Sequence, residues 1–339
     1  MAEKVYEALR RNTRLDTDPL TDIYGQEKAK KQILASVLAG HHVIIVGPPG
    51  IGKTTLARQI ATLLPSVEAV KGCQFFCEPQ SPVCPMCKSK EGSLEAETIP
   101  GVNRFRRIQG SPDLSVEDLL GDIDPSLAFK YGPTDYRVFT PGKLLKGNRG
   151  VVFFDEINRV PEKLQNSLLQ VLEEHIATIG SYDIDYPAEF IMIATMNPKE
   201  HAGTEELSDV LLDRFDMVRM TYPESPEIER RVILEKSRKY GDGIVPDSVV
   251  DSIVRMVQAT RSGKWADEFE QPASPRASIG LYEKVQTLTL FNGRHEASVS
   301  DLLECAGSVL MSRIRISPQS QYYENPDELL EKVIKDVTK

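Results

Sequence analysis

His41-His-Val-Ile-Ile-Val-Gly47-Pro48-Pro49-Gly50-Ile51-Gly52-Lys53-Thr54-Thr55 is the stretch on which the reading of the chain turns. A short apolar run that stops at a glycine has the pattern of a strand buried on both faces. From Gly47 to Thr54 the residues match G-x-x-x-x-G-K-[ST]. Each residue type has a chemical reason. Glycines let the backbone come close to phosphate oxygens and turn its N–H groups toward them. A helix expected over 54–64, stopped by Pro65, would aim the positive end of its dipole at the same anion. Lys53 is suited to meet the β and γ phosphates of a nucleoside triphosphate, and Thr54 to ligate Mg²⁺. Gly47, Pro48, Pro49, Gly50, Ile51, Gly52, Lys53, Thr54 and Thr55 are therefore the candidate nucleotide-binding residues.

About a hundred residues further on, Val151-Val-Phe-Phe154 runs into Asp155-Glu156. A buried strand there would carry Asp155 to the sheet edge beside the loop, where a carboxylate can hold the Mg²⁺ shell. Glu156 would sit where it can polarise a water attacking the γ phosphate. Further strands are expected near 104–108, over 190–194 and over 217–220. Helices are expected over 25–39 and 162–175, an irregular segment over 70–110, and a hairpin within 176–190. Strands alternating with helices imply an α/β fold, a parallel sheet with helices on both faces. After Pro223 the pattern is helical over 226–240, 247–261, 276–291, 299–316 and 326–338, with no strand. Ser225-Pro226 is a helix start signal, so a domain boundary is expected near 223–226.

On these motifs the chain resembles the AAA+ ATPases, in the branch that contains the magnesium-chelatase ATPase subunit and the MoxR proteins. The likeness runs over nearly the whole length. Ala194-Thr-Met-Asn197-Pro198 resembles the sensor-1 element, in which a polar residue orients the attacking water. Leu211-Leu-Asp-Arg214-Phe215 resembles the arginine-finger motif, and Ser274-Pro-Arg276-Ala277 resembles sensor 2. Phe139-Thr-Pro-Gly142 resembles the segment that interrupts the second helix in this branch. The resemblance implies a nucleotide-binding αβα core over 1–224 with a Cys-rich insertion at about 70–100, then an all-helical lid over 225–339. It implies ATP and Mg²⁺ as ligands, with Asn197, Arg214 and Arg276 joining Glu156 in hydrolysis. Arg214 would act across a subunit interface, which implies a homo-oligomeric ring, a hexamer in this family.

The chain has five cysteines, and Cys73, Cys77, Cys84 and Cys87 fall within fifteen residues. Four thiolates suit a tetrahedral Zn²⁺, and Cys84-Pro-Met-Cys87 has the form of a zinc-ribbon knuckle. The C-x3-C spacing of the first pair is less usual, so a disulfide or redox pair and an unliganded cluster stay open. Cys305, among Leu302, Leu303 and Val309, reads as a core residue. Arg104-Phe-Arg-Arg107 reads as one solvated strand edge.

Among 339 residues, 40% are hydrophobic and 27% charged, with a net charge of −9. That is the profile of a soluble two-domain protein, and a cytoplasmic location is expected. No run approaches a membrane span. The acidic balance lacks the basic surface that nucleic acid usually demands, which lowers a DNA-dependent motor or helicase to a rival reading. Within the motor reading, the cysteines and Leu119-Leu-Gly-Asp-Ile-Asp124 lean toward a chelatase subunit, coupling ATP hydrolysis to metal insertion into a tetrapyrrole. Ala194-Thr-Met-Asn-Pro198 and Val160-Pro-Glu-Lys-Leu-Gln165 lean toward a MoxR-like chaperone that matures a partner enzyme. The partner expected is a chelatase subunit or a von Willebrand A-type protein.

Overall fold

Five parallel strands make the main sheet: β1 (His42–Val46), β2 (Phe105–Gln109), β3 (Gly150–Asp155), β4 (Phe190–Met196) and β5 (Phe215–Arg219), in the order β5-β1-β4-β3-β2. They come from a computed structural model that describes residues 3–90, 92–133, 135–178, 185–197 and 206–338. The three central strands are apolar almost throughout and are buried along their length, as both-sides-covered parallel strands require. The edge strands, Phe-Arg-Arg-Ile-Gln and Phe-Asp-Met-Val-Arg, mix apolar and polar residues instead, and in them only Ile108 and Val218 are buried. Val46 lies level with Met196, Ala194 with Phe154, and Gln109 with Asp155. The carboxyl ends of four strands therefore finish along one edge, where open α/β sheets bind their ligands.

Two helices precede β1, α1 (Val5–Asn12) and α2 (Glu27–Ala39), and α2 packs on β1 and β5. The sequence pattern starts α2 at Gly25. Gly25 and Gln26 both have left-handed φ, 67° and 63°, so the helix cannot begin before Glu27. α3 (Lys53–Thr62) follows the glycine-rich loop and packs on β3 through a face that includes Leu56, Ala57 and Ile60. α4 (Glu162–Glu174) ends where His175 turns left-handed.

The Cys-rich segment is more ordered than its composition suggests. Val67–Val70 pairs antiparallel with Ala96–Ile99, which brackets it, and Pro85–Lys88 forms one helical turn. Its apolar side chains join the main core: Phe75 stacks on Tyr186, 5.4 Å between ring centres, and the Tyr186 ring lies tilted against Phe139 at 4.4 Å. One amide fixes its base. Asn148 donates from Nδ2 to Phe75 O at 2.6 Å and accepts at Oδ1 from the Glu189 N–H at 2.9 Å. Asn148 sits just before β3, and Glu189 just before β4.

The arginine run departs from the expectation of a solvated edge. Arg104 is only 2% exposed and donates to the carbonyls of Arg149 and Pro65. Burial, with Arg149 nearby, pulls its pKa down to about 10. Arg106 lies over the Phe76 ring. Both side chains are drawn inward by carbonyls and a ring that the folded insertion and neighbouring loops supply. The expected hairpin pairs Ile176–Thr178 with Asp185–Pro187; the residues joining them lie outside the described residues, as does Pro198.

By its contacts the chain divides into two units, the first reaching to Ile23 and taking Glu27–Gly47 and Gly52–Met220, the second holding Tyr24–Gln26, Pro48–Ile51 and the chain from Thr221 on. The second unit consists of α5 (Pro226–Lys236), α6 (Asp247–Ala259), α7 (Pro275–Phe291), α8 (Val299–Leu310) and α9 (Pro326–Val337). Ser225 caps α5 through the Ile228 N–H and Pro226 takes the first helical position, as the sequence implied. Two points correct the all-helical expectation. α8 stops at Leu310, and Arg315–Ile316 pairs antiparallel with Phe269–Gln271. Ile316 and Phe269 close a small apolar cluster with Leu329 and Val333 of α9, and strands this short leave almost no alternation to read in a sequence. Cys305 lies in the helical core as expected.

Candidate active site

The loop leaves β1 at Gly47, whose N–H donates to Met196 O at the end of β4, 3.3 Å. Gly50 and Gly52 then take φ of 78° and 98°, a region that L side chains avoid. Gly52 is the cap of α3, so the first free N–H groups of a ten-residue helix open beside the loop. Lys53 begins that helix. Its Nζ donates to Gly47 O, curling the side chain back across the loop. Burial lowers its pKa to about 8, against the attraction of Asp155 and Glu156. Within the second unit, to which Pro48–Ile51 belong by contacts, a Cβ on Gly50 would fall 3.2 Å from Arg276 Cβ. Arg276 is the second residue of α7, and its side chain is exposed.

The two acids end β3. Thr195 of β4 donates its hydroxyl to Asp155 Oδ1 at 2.7 Å and accepts the Glu156 N–H at 2.8 Å. One hydroxyl thus sets the position of both residues. Glu156 has a left-handed φ of 56°, and Gly110 passes so close that a Cβ there would lie 2.0 Å from Glu156 O. Any larger residue at 110 would push the acid away. Arg107 Nη2 meets Asp155 Oδ2 at 2.6 Å. Arg159 Nη1 and Gln109 Nε2 meet Glu156 Oε2 at 3.0 and 3.2 Å.

Thr195, Arg107, Gln109 and Arg159 were not among the sequence-predicted residues. Thr195 stands two residues before Asn197, inside a stretch already singled out, and a lone hydroxyl near the end of an otherwise apolar buried strand was the available signal. Arg107 and Arg159 gave none, because an arginine in an edge strand or just past a strand end has the same local pattern whether it faces solvent or a carboxylate.

Asn197 immediately follows β4 and is half-buried. Arg214 does not join this group. It precedes β5, paired with Glu173 at 2.9 Å and Asp213 at 3.2 Å. Phe215 is level with His42, at the end of β1 opposite the loop.

A second constellation lies in the Cys-rich segment. The sulfurs of Cys73, Cys77, Cys84 and Cys87 all lie within 4.8 Å of one another, and Cys73 and Cys84 are 3.9 Å apart. All are free thiols, three of them buried. The Cys84 N–H donates to Cys77 Sγ at 3.3 Å. Hydrogen bonds from Cys77 and Cys84 hold the Cys73 thiol far below its usual range, and burial pushes Cys87 up to about 12. The cluster can hold a metal ion.

Three family profiles match. Residues 88–217 match the ATPase family associated with various cellular activities, 19–75 match magnesium chelatase subunit ChlI, and 266–333 match the AAA lid domain. The three matches make the AAA+ ATPases the family that this chain resembles. Within that family its relatives include ChlI and MoxR proteins. The magnesium-chelatase subunit ChlI homolog of Methanocaldococcus jannaschii is 27% identical over 338 residues, covering 92% of this chain and 89% of that protein. Chaperone MoxR1 of Mycobacterium tuberculosis is 27% identical over 344 residues, covering 93% and 78%. Among solved structures, a chain in a complex between subunits BchI and BchD of magnesium chelatase shares the fold, at a TM-score of 0.50 and 23% identity over 93% of this chain and 98% of that one. On these matches the chain is an ATPase. Among the described residues no helix is long and apolar enough to cross a membrane.

Proposed function

We propose that this chain is the ATP-hydrolysing subunit of a homo-oligomeric ring, a hexamer, that drives a chelatase partner subunit and so energises metal insertion into a tetrapyrrole. The observation that carries the reading is the joint fixing of Asp155 and Glu156 by Thr195 at the carboxyl end of β3, at the same sheet edge as the phosphate loop. In this reading the loop residues Gly47–Thr55 bind the phosphates, with Lys53 as their charge partner. Thr54 and Asp155 hold Mg²⁺, which supplies charge neutralisation to the transferring phosphoryl group. Glu156 takes the proton of the attacking water, and Asn197 orients that water. Arg276 and, from the neighbouring subunit, Arg214 meet the charge that spreads over the phosphoryl oxygens. The nucleotide core runs over 1–224 and the lid over 225–339.

The reading includes a structural Zn²⁺ on Cys73, Cys77, Cys84 and Cys87. Four sulfurs around a tetrahedral zinc at ~2.3 Å would stand about 3.8 Å apart, close to the 3.9 Å between Cys73 and Cys84. A MoxR-like chaperone acting on a von Willebrand A-type partner is the second reading, favoured by the match to Chaperone MoxR1.

The test is Glu156→Gln. It should bind ATP at wild-type affinity, turn it over very slowly, and hold its partner in an ATP-dependent complex. Wild-type turnover would remove Glu156 from the base role. A chelatase-type partner in the trapped complex supports the first reading, and a von Willebrand A-type enzyme-maturation partner supports the second.

A further inference from the structure

Arg276 is an exposed side chain on a backbone that is held with unusual thoroughness. Ala273, three residues earlier, has both its polar groups bound by consecutive residues that follow α6. Its N–H donates to Thr260 Oγ1 at 3.0 Å, and its carbonyl accepts from Arg261 Nε at 2.7 Å. Pro272 O accepts from the Tyr222 hydroxyl at 3.3 Å, and the Tyr222 ring lies under the Arg261 guanidinium, 4.7 Å from its carbon. On the other side of Arg276, the Ser278 hydroxyl donates to Glu229 Oε1. Glu229, on α5, is fully buried and is gripped by both Nη atoms of Arg261, at 2.5 and 3.3 Å. Residues 272, 273 and 278 are thus tied to one guanidinium–carboxylate pair and its immediate neighbours.

A buried pair of this kind contributes little net stability, because desolvation offsets most of the attraction. What a two-pronged guanidinium–carboxylate contact does impose is a fixed relative orientation of the groups attached to it. Here those groups are α5, the end of α6 and the first turn of α7, which is the turn that carries Arg276. We propose that Glu229 and Arg261 are positioning residues for ATP hydrolysis, setting the origin and direction of the Arg276 side chain. This rests on the reading of Arg276 as a residue that meets the nucleotide.

A displacement of ~1 Å in a catalytic group can cost about 10²-fold in rate. Arg261→Lys keeps the charge but loses the fork, so kcat should fall between about 10- and 100-fold while the Kd for a non-hydrolysable ATP analogue stays within about twofold. Ser278→Ala removes only one hydroxyl and should give a smaller loss of the same kind; it serves where Arg261→Lys fails to fold by thermal unfolding. The deciding measurement is a double-mutant cycle with Arg276→Ala. If Glu229 and Arg261 act through Arg276, then Arg261→Lys or Ser278→Ala should change kcat less than about twofold once Arg276 is alanine. Additive losses would overturn the positioning role and leave Arg276 in place. An Arg276→Ala enzyme with wild-type kcat would instead overturn the reading of Arg276 itself, and the positioning role with it.

Discussion

Arg214 offers a sharp test of assembly. β5 lies beside β1 with Phe215 level with His42, whereas the phosphate loop begins at Gly47, five residues further along. At ~3.3 Å per residue the two levels are about 16 Å apart, which an arginine side chain does not bridge. Its partners in the same chain, Glu173 and Asp213, are exposed. Such surface pairs hold an arginine only weakly, so a neighbour's phosphates can draw it away. An Arg214→Ala chain then has a sound loop and no finger, and a Lys53→Ala chain has the reverse. Loss of an arginine finger costs ~10³ or more in rate, about 4 kcal/mol of barrier, so each variant alone should be nearly silent. In a ring mixed at equal amounts, about one interface in four pairs the good loop with the good finger. ATPase activity at saturating ATP should therefore climb to about a quarter of wild type, peak at equal mixing, and fall on dilution as rings come apart. Activity that stays flat across all ratios, in rings shown by mass to have exchanged subunits, would refute the action in trans.

The other expectations can be checked more simply. Lys53→Ala should lose nucleotide binding in a fluorescent-nucleotide titration, since the phosphates lose their charge partner; binding within threefold of wild type would contradict that role. Protein purified without added metal should carry about one zinc per chain by elemental analysis, and Cys84→Ser should lose it. Burial pushes the Asp301 carboxyl up, but Arg294 and the Ser298 N–H and hydroxyl outweigh it and hold it at about 2. A lowered carboxylate stabilises the fold above its unfolded value and loses that effect as the pH falls toward about 2, here at most about 2 kcal/mol. The melting-temperature gap between wild type and Asp301→Asn should accordingly be widest near pH 6 and close as the pH drops toward 2.

The parts of the molecule that the sequence made legible are those where local chemistry has few solutions. A strand buried on both faces must be apolar throughout, so β1, β3 and β4 could be read directly. The loop glycines carry left-handed φ, and Pro226 and Pro275 start helices, for reasons intrinsic to each residue. What stayed hidden depends on who the neighbour is. Arg104 is buried because distant carbonyls accept its donors, and Arg107 meets Asp155 only because β2 pairs with β3. The stem Val67–Val70/Ala96–Ile99 was obscured by the charged residues of Val-Glu-Ala-Val and Ala-Glu-Thr-Ile, which are exposed or half-buried on a two-stranded ribbon. The pair Phe269–Gln271/Arg315–Ile316 is too short to have a period at all.

The Asn148 amide has a bearing on how the chain comes into being. Its two bonds join residues 73 and 41 positions apart, so the join cannot form until synthesis has passed Glu189. The Cys-rich segment leaves the ribosome far earlier. Through that interval its four thiols wait without that anchor, so the segment takes its final seat only after most of the sheet's chain has been made.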